Sequence, residues 1–133
     1  MITDLVFLEG NSIEEIMCSY DSSIGLWYQA KNIDMIALSI LGVMLQVGDY
    51  KSLSRSFNLV SEPDEQMLFT IPSDLKDKLS CLSDEEITKV SDNWQHIDEF
   101  RGGMTAISCV NYLTDVRAFL NKSSDPVYLK MAA

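Results

Sequence analysis

The sequence predicts an α+β fold, predominantly helical, with about five helices and short strands at the N- and C-termini. Three observations lead there. The first and last stretches, "ITDLVFLEG" and "VYLKM", are rich in β-branched and aromatic residues, as strands are. Between them the apolar residues recur every three or four positions, the spacing of one helix face. These runs open on Ser or Asp and close on Gly or Pro, the usual start and stop signals of helices. An all-α bundle with extended tails is the alternative. At 133 residues, 47% hydrophobic and 23% charged, the chain is expected to be one globular domain, 1–133, with a single core.

In chain order, residues 2–10 form the first strand, ended by Gly10. "NSIEEIMCSY" (11–20) carries a capping box, Ser12 with Glu15, and sets Ile13, Ile16 and Met17 on one helical face. "DSSIGLWYQAKN" (21–32) has two readings, since Leu26, Trp27 and Tyr28 either extend a sheet or lead into the next helix. The central helix, "IDMIALSILGVMLQVG" (33–48), is capped by Asn32 or Asp34 and is expected to end near Gly48, a natural left-handed residue. Its apolar side chains run round most of the cylinder, so cover is expected on both sides. It is too short to span a bilayer and contains Asp34.

"YKSLSRSF" (50–57) supplies one or two more helical turns, "SEPDEQ" (61–66) is a loop, and "MLFTIP" (67–72) is a short extended run. "SDLKDKLSCL" (73–82) is a small helix capped by Ser73. Ser83 and Glu86 form a second capping box, launching a helix that runs to the "RGG" at 101–103. On it Ile87, Val90, Trp94 and Ile97 make a buried stripe, with Glu85, Lys89, Asp92, His96 and Glu99 outward. The last helix spans about 104–121 with Ala106, Val110, Leu113, Val116 and Leu120 inward, and "SSDP" (123–126) stops it before the final strand. The terminal strands are expected to be neighbours in a small sheet.

Charge narrows the function classes. Twenty acidic residues face ten basic ones, a net −10. Phosphate contacts need clustered Lys and Arg, so direct nucleic-acid binding and attraction to anionic membranes are both disfavoured. Residues 61–100 concentrate the imbalance, with eleven acids and three bases. An acidic field of that kind favours a protein partner with a basic surface. Cys18, Cys81 and Cys109 are far apart and odd in number, which reads as buried thiols in a reducing cytoplasm rather than a disulfide framework. No secretory signal is read at the N-terminus, and the expected compartment is the cytoplasm.

Chemistry finds little purchase. Asp92, His96 and Glu99, at i, i+4 and i+7 of one helix, could surround a metal. Zinc hydrolases, however, usually recruit two histidines from the first such helix, and His96 is alone in the chain. The chain has no G-x-S-x-G elbow, and "RGG" lacks the lysine and hydroxyl of a phosphate loop. Neither metal nor cofactor is therefore expected, and no catalytic residue. Interface candidates are Glu85, Asp92, His96, Asp98 and Glu99 on the acidic face, with Trp27 and Tyr28 as aromatic anchors.

Three stretches resemble the YfbM-like family of bacterial domains. Residues 27–49 are similar to its aspartate-led apolar helix with a glycine turn. Residues 82–94 resemble its capped acidic helix, and residues 111–131 its last helix and terminal strand. The resemblance implies a fold and no site residue. Small acidic domains of this kind also resemble, by analogy, immunity proteins of bacterial toxin systems. The leading expectation is thus an immunity protein that neutralises a cognate toxin, for example a nuclease, by direct binding. An acidic phage-type inhibitor imitating nucleic acid is the second, and a small metal-assisted hydrolase on Asp92, His96 and Glu99 the third.

Overall fold

The first and last strands, nearly the whole chain apart in sequence, lie side by side at the centre of one antiparallel sheet. The structure, a computed structural model, describes residues 4–9, 27–30, 33–59, 66–122 and 127–132. The elements are β1 (Asp4–Glu9), β2 (Trp27–Ala30), α1 (Met35–Met44), α2 (Tyr50–Arg55), β3 (Gln66–Thr70), α3 (Ser73–Ser80), α4 (Asp84–Trp94), a 3-10 turn (Asp98–Phe100), α5 (Ala106–Lys122) and β4 (Val127–Ala132). The fold is α+β and predominantly helical. The expected helix at 11–20 with Cys18, the loop tip at 61–65 and the stop at 123–126 lie outside the described residues.

The sheet order is β2-β1-β4-β3. It is larger than the terminal strands alone, because part of the stretch with two readings, at 27–30, and the extended run at 66–70 join it as edges. Residues directly opposite across an antiparallel pair share a face. Leu129 and Phe69 are such a pair and both are buried, so their row marks the face that the helices cover. Leu59 adds one bridge to Phe69 beyond the edge.

The helices start for the reasons their sequences suggest. Asp34 caps α1, accepting from the Ala37 N–H at 2.8 Å, and Asp49 caps α2 through the Ser52 N–H at 2.8 Å. Their ends differ from expectation. α1 stops at Met44, and the left-handed residue is Gln46 (φ 60°), not Gly48. Val47 N–H donates to the Gly42 carbonyl and Gln46 N–H to that of Val43, which together make a Schellman turn two residues early. The turn directs Val47 back onto the core and leads into the cap of α2, whose Leu53 packs over Gly42. Nor does Ser73 cap α3. Pro72 holds that position without a side-chain bond, and Ser73 is the first helical residue.

Helix α1 also lacks the cover expected on both sides. Ala37, Leu38, Leu41 and Gly42 are buried, whereas Ile36, Val43 and Met44 face outward at 42%, 40% and 37% exposure. In α5 the buried stripe is Cys109, Tyr112, Leu113, Val116, Phe119 and Leu120. It is rotated slightly from the expected one, leaving Ala106 and Val110 half-buried at its margin. Helix α5 packs on α3 and α4, and α1 packs on α4. Trp94 sits at their junction, fully buried.

Candidate functional site

Helix α4 and the turn after it carry most of the predicted interface. Its start is a complete capping box: Ser83 Oγ accepts from the Glu86 N–H, and Glu86 accepts from the Ser83 N–H, both at 3.1 Å. Glu86 also takes Lys78 Nζ at 2.8 Å, and Asp84 takes Arg117 at 2.8 Å. The Arg117 guanidinium donates as well to the Leu82 carbonyl, so it ties α5 to the entry of α4. The hydrogen bond from Lys78, then that from the Ser83 backbone, holds the Glu86 carboxyl below its ordinary range. Asp84 and Glu86 therefore work for the fold. Both also sit in the first turn, where the helix dipole favours negative charge.

The inward stripe is Ile87, Val90, Ser91 and Trp94. At its end the Trp94 indole N–H donates to the Ala37 carbonyl of α1 at 3.0 Å, and Phe100 meets the ring edge-on at 5.1 Å. This contact explains why α4 is shorter than expected. A continued helix would carry residue 100 about 9 Å further along the axis. To return Phe100 onto the indole, the chain leaves the helix after Trp94, turns through Gln95 and His96, and forms the 3-10 turn. Arg101 follows in the left-handed region (φ 49°), then Gly102 (φ 74°).

The shorter helix takes apart the constellation of Asp92, His96 and Glu99. Asp92 is on α4, His96 in the turn and Glu99 on the 3-10 segment. Among the described residues no three side chains of His, Cys, Asp or Glu converge where a cation could be held. Ile97, placed on the stripe from sequence, lies beyond the helix and is half-buried against the core.

Glu85, Asp92, His96, Asp98 and Glu99 are all exposed. On α4 the outward face is Glu85, Lys89 and Asp92, so one lysine stands between two carboxylates at helical spacing. Asp98 and Glu99 form a second group on the 3-10 turn beside Arg101. None of these four carboxylates forms an ion pair among the described residues. Trp27 and Tyr28 belong to β2, where successive residues take opposite faces of the sheet. Position 28 pairs with Phe7, in the row of the buried Leu129, and position 27 with Leu8, in the row of the half-buried Tyr128.

Sequence reasoning missed a groove of about 290 Å³ between the end of α1 and the sides of α3 and α4. Met44, Leu45 and Val90 give it an apolar wall, and Lys78, Lys89 and Asn93 a polar one. Its only sequence signal is that the outer half of α1 contains no polar residue. Cys81 is exposed and Cys109 buried, and burial pushes the Cys109 thiol up to about 11, far from a reactive thiolate. No helix among the described residues is long and apolar enough to cross a membrane.

No protein-family model matches the chain, and neither does any curated protein or solved structure.

Proposed function

We propose that this is a non-catalytic binding protein, a bacterial immunity protein that acts in the cytoplasm and neutralises a cognate toxin by covering a basic surface on it. The observation that carries the reading is the division of labour among the carboxylates of residues 84–99. Asp84 and Glu86 are engaged in capping and ion pairs, whereas Glu85, Asp92, Asp98 and Glu99 stand in solvent without a cationic partner among the described residues. Such groups gain little folding stability from pairing, Lys89 being the one basic neighbour at helical spacing on α4, and their like charges repel. They speed association with a cationic cleft by long-range steering and then exclude its substrate. The chain's net −10 acts in the same direction. A toxin with a basic active-site cleft, such as a nuclease, is the target that this field suits. The resemblance of residues 27–49, 82–94 and 111–131 to YfbM-like domains belongs to the same proposal and assigns no residue a role.

The test is a triple reversal, Asp92→Lys, Asp98→Lys and Glu99→Lys, co-expressed with a candidate cognate toxin sought in the gene's neighbourhood. Wild-type protein should protect growth and the reversal should not, because like charges would face one another across the contact at a cost of several (~2–5) kcal/mol. Association measured with purified components should slow most at low ionic strength, where screening is weakest. The melting temperature should stay close to wild type. An association rate unchanged at low salt would move recognition to another surface.

A further inference from the structure

In a chain of net −10, the groove between the end of α1 and the sides of α3 and α4 is lined by two ammonium groups, Lys78 and Lys89, against one carboxylate, Glu86. That carboxylate is already engaged. It takes Lys78 Nζ at 2.8 Å and the Ser83 N–H at 3.1 Å. Helical spacing gathers the α4 side, since Glu86, Lys89, Val90 and Asn93 stand at i, i+3, i+4 and i+7 on one strip. The side chains of Lys89, Asn93 and Gln46 make no hydrogen bond among the described residues, so their donors are open to an occupant. Gln46 adds a second observation. Its backbone is left-handed (φ 60°), a conformation that glycine takes freely and glutamine does not. The turn explains that backbone and not the side chain, because glycine would make the same turn. Strained residues gather at ligand-binding places, and this one lines the groove. We propose that the groove binds a small amphiphilic carboxylate, an aliphatic chain ending in one anionic group.

Charge, lining and size select that occupant. Lys89 supplies the unpaired cation, and Lys78 has two further N–H donors beyond the one given to Glu86. The side-chain amides of Asn93 and Gln46 add neutral donors. A cationic ligand has no carboxylate here that is not already held, since Asp74 and Asp77 line the neighbouring depression and not this one. Met44, Leu45 and Val90 form the apolar wall for the chain. Apolar lining with a few polar groups that fix orientation is the usual make-up of a small-ligand site. A volume of about 290 Å³, at roughly 30 Å³ for each water-sized group, takes about ten non-hydrogen atoms. A chain of about eight carbons with its carboxylate fills that space, whereas a helix or an extended peptide exceeds it.

This site is separate from the acidic face and its test needs no toxin. Octanoate is titrated below its micelle concentration into the whole chain at neutral pH, with octylammonium, the same chain carrying the opposite charge, alongside. Methyl resonances of Met44 and Val90 and the side-chain amide resonances of Gln46 and Asn93 should shift saturably with octanoate and stay in place with octylammonium. Lys89→Gln, at an exposed position, should weaken octanoate binding about tenfold or more, the usual worth of a hydrogen bond to a charged group, with the melting temperature unchanged. Gln46→Gly should weaken binding several-fold while raising the melting temperature, because it relieves the left-handed backbone and removes the amide. A residue kept only for the turn would not move the two in opposite directions. Any of four results overturns the inference: shifts that fail to saturate, shifts confined to residues outside the groove, equal binding of octanoate and octylammonium, or octanoate affinity unchanged in both variants.

Discussion

Replacing Trp94 by alanine is the sharpest probe of how this fold is held. The indole is fully buried, touches Phe100 edge-on and Tyr112 at 5.8 Å, and bonds the Ala37 carbonyl across the α1–α4 junction. Burying a tryptophan removes about 150–250 Å² from water, worth roughly 4–6 kcal/mol at about 25 cal/mol per Å². Partial collapse around the truncated site returns some of this, and measured truncations of large aromatics cost about 3–5 kcal/mol. That is a large part of the roughly 5–15 kcal/mol that stabilises a typical domain. Trp94→Phe separates the terms, since it keeps most of the ring and loses the N–H, and should cost about 1–2 kcal/mol. Glu85→Ala, on the exposed side of the same helix, should stay within about 0.5 kcal/mol. For a chain of this length 1 kcal/mol corresponds to about 3–4 °C, so Trp94→Ala should melt roughly 10–20 °C lower and Glu85→Ala within about 2 °C. Urea titrations would give the same order without relying on heat. Similar shifts for Trp94→Ala and Glu85→Ala would refute the assignment of faces and the role of the junction.

Gln46 occupies a left-handed position while Gly48 does not, so Gln46→Gly should stabilise by about 1 kcal/mol and Gly48→Ala should be nearly neutral, both read from urea midpoints. Ser91 is fully buried with no partner for its hydroxyl, so Ser91→Ala should be neutral or stabilising by up to about 1 kcal/mol, and clear destabilisation would expose an unrecognised bond. The Glu86 carboxyl is depressed chiefly by Lys78, so its contribution is present above the ordinary glutamate value of about 4.3 and lost as pH falls through its lower folded value. Glu86→Gln should accordingly flatten the loss of stability below about pH 4, checked by urea midpoints across pH, and an unaltered acid limb would count against that ion pair. Under native conditions a thiol reagent followed by peptide mass spectrometry should mark Cys81 and leave Cys109 unmodified, because one is exposed and the other buried with its thiol pushed up to about 11.

What was legible in the sequence is local. The capping box of Ser83 and Glu86, the cap at Asp34, the stripe of Ile87, Val90 and Trp94 and the outward carboxylates all follow from neighbours within four residues, where helical geometry alone decides who meets whom. The strand character of the two ends was readable in the same way, from residue type. Tertiary structure decided the rest. Whether positions 27–30 and 66–70 become strands depends on β1 and β4 offering them edges, and no local pattern contains that partner. Gln46 rather than Gly48 ends α1 because the chain must bring Val47 onto the core and Leu53 over Gly42, and that demand outweighs the ease with which glycine turns. Helix α4 ends at Trp94 because Phe100 packs on its ring, which a straight helix would carry out of reach. The same stop moves Asp98 and Glu99 off the helix and dissolves the three-residue cluster with His96. Spacing along a chain predicts a shared face only while the helix continues, and where it stops is set by contacts between residues that the spacing does not relate.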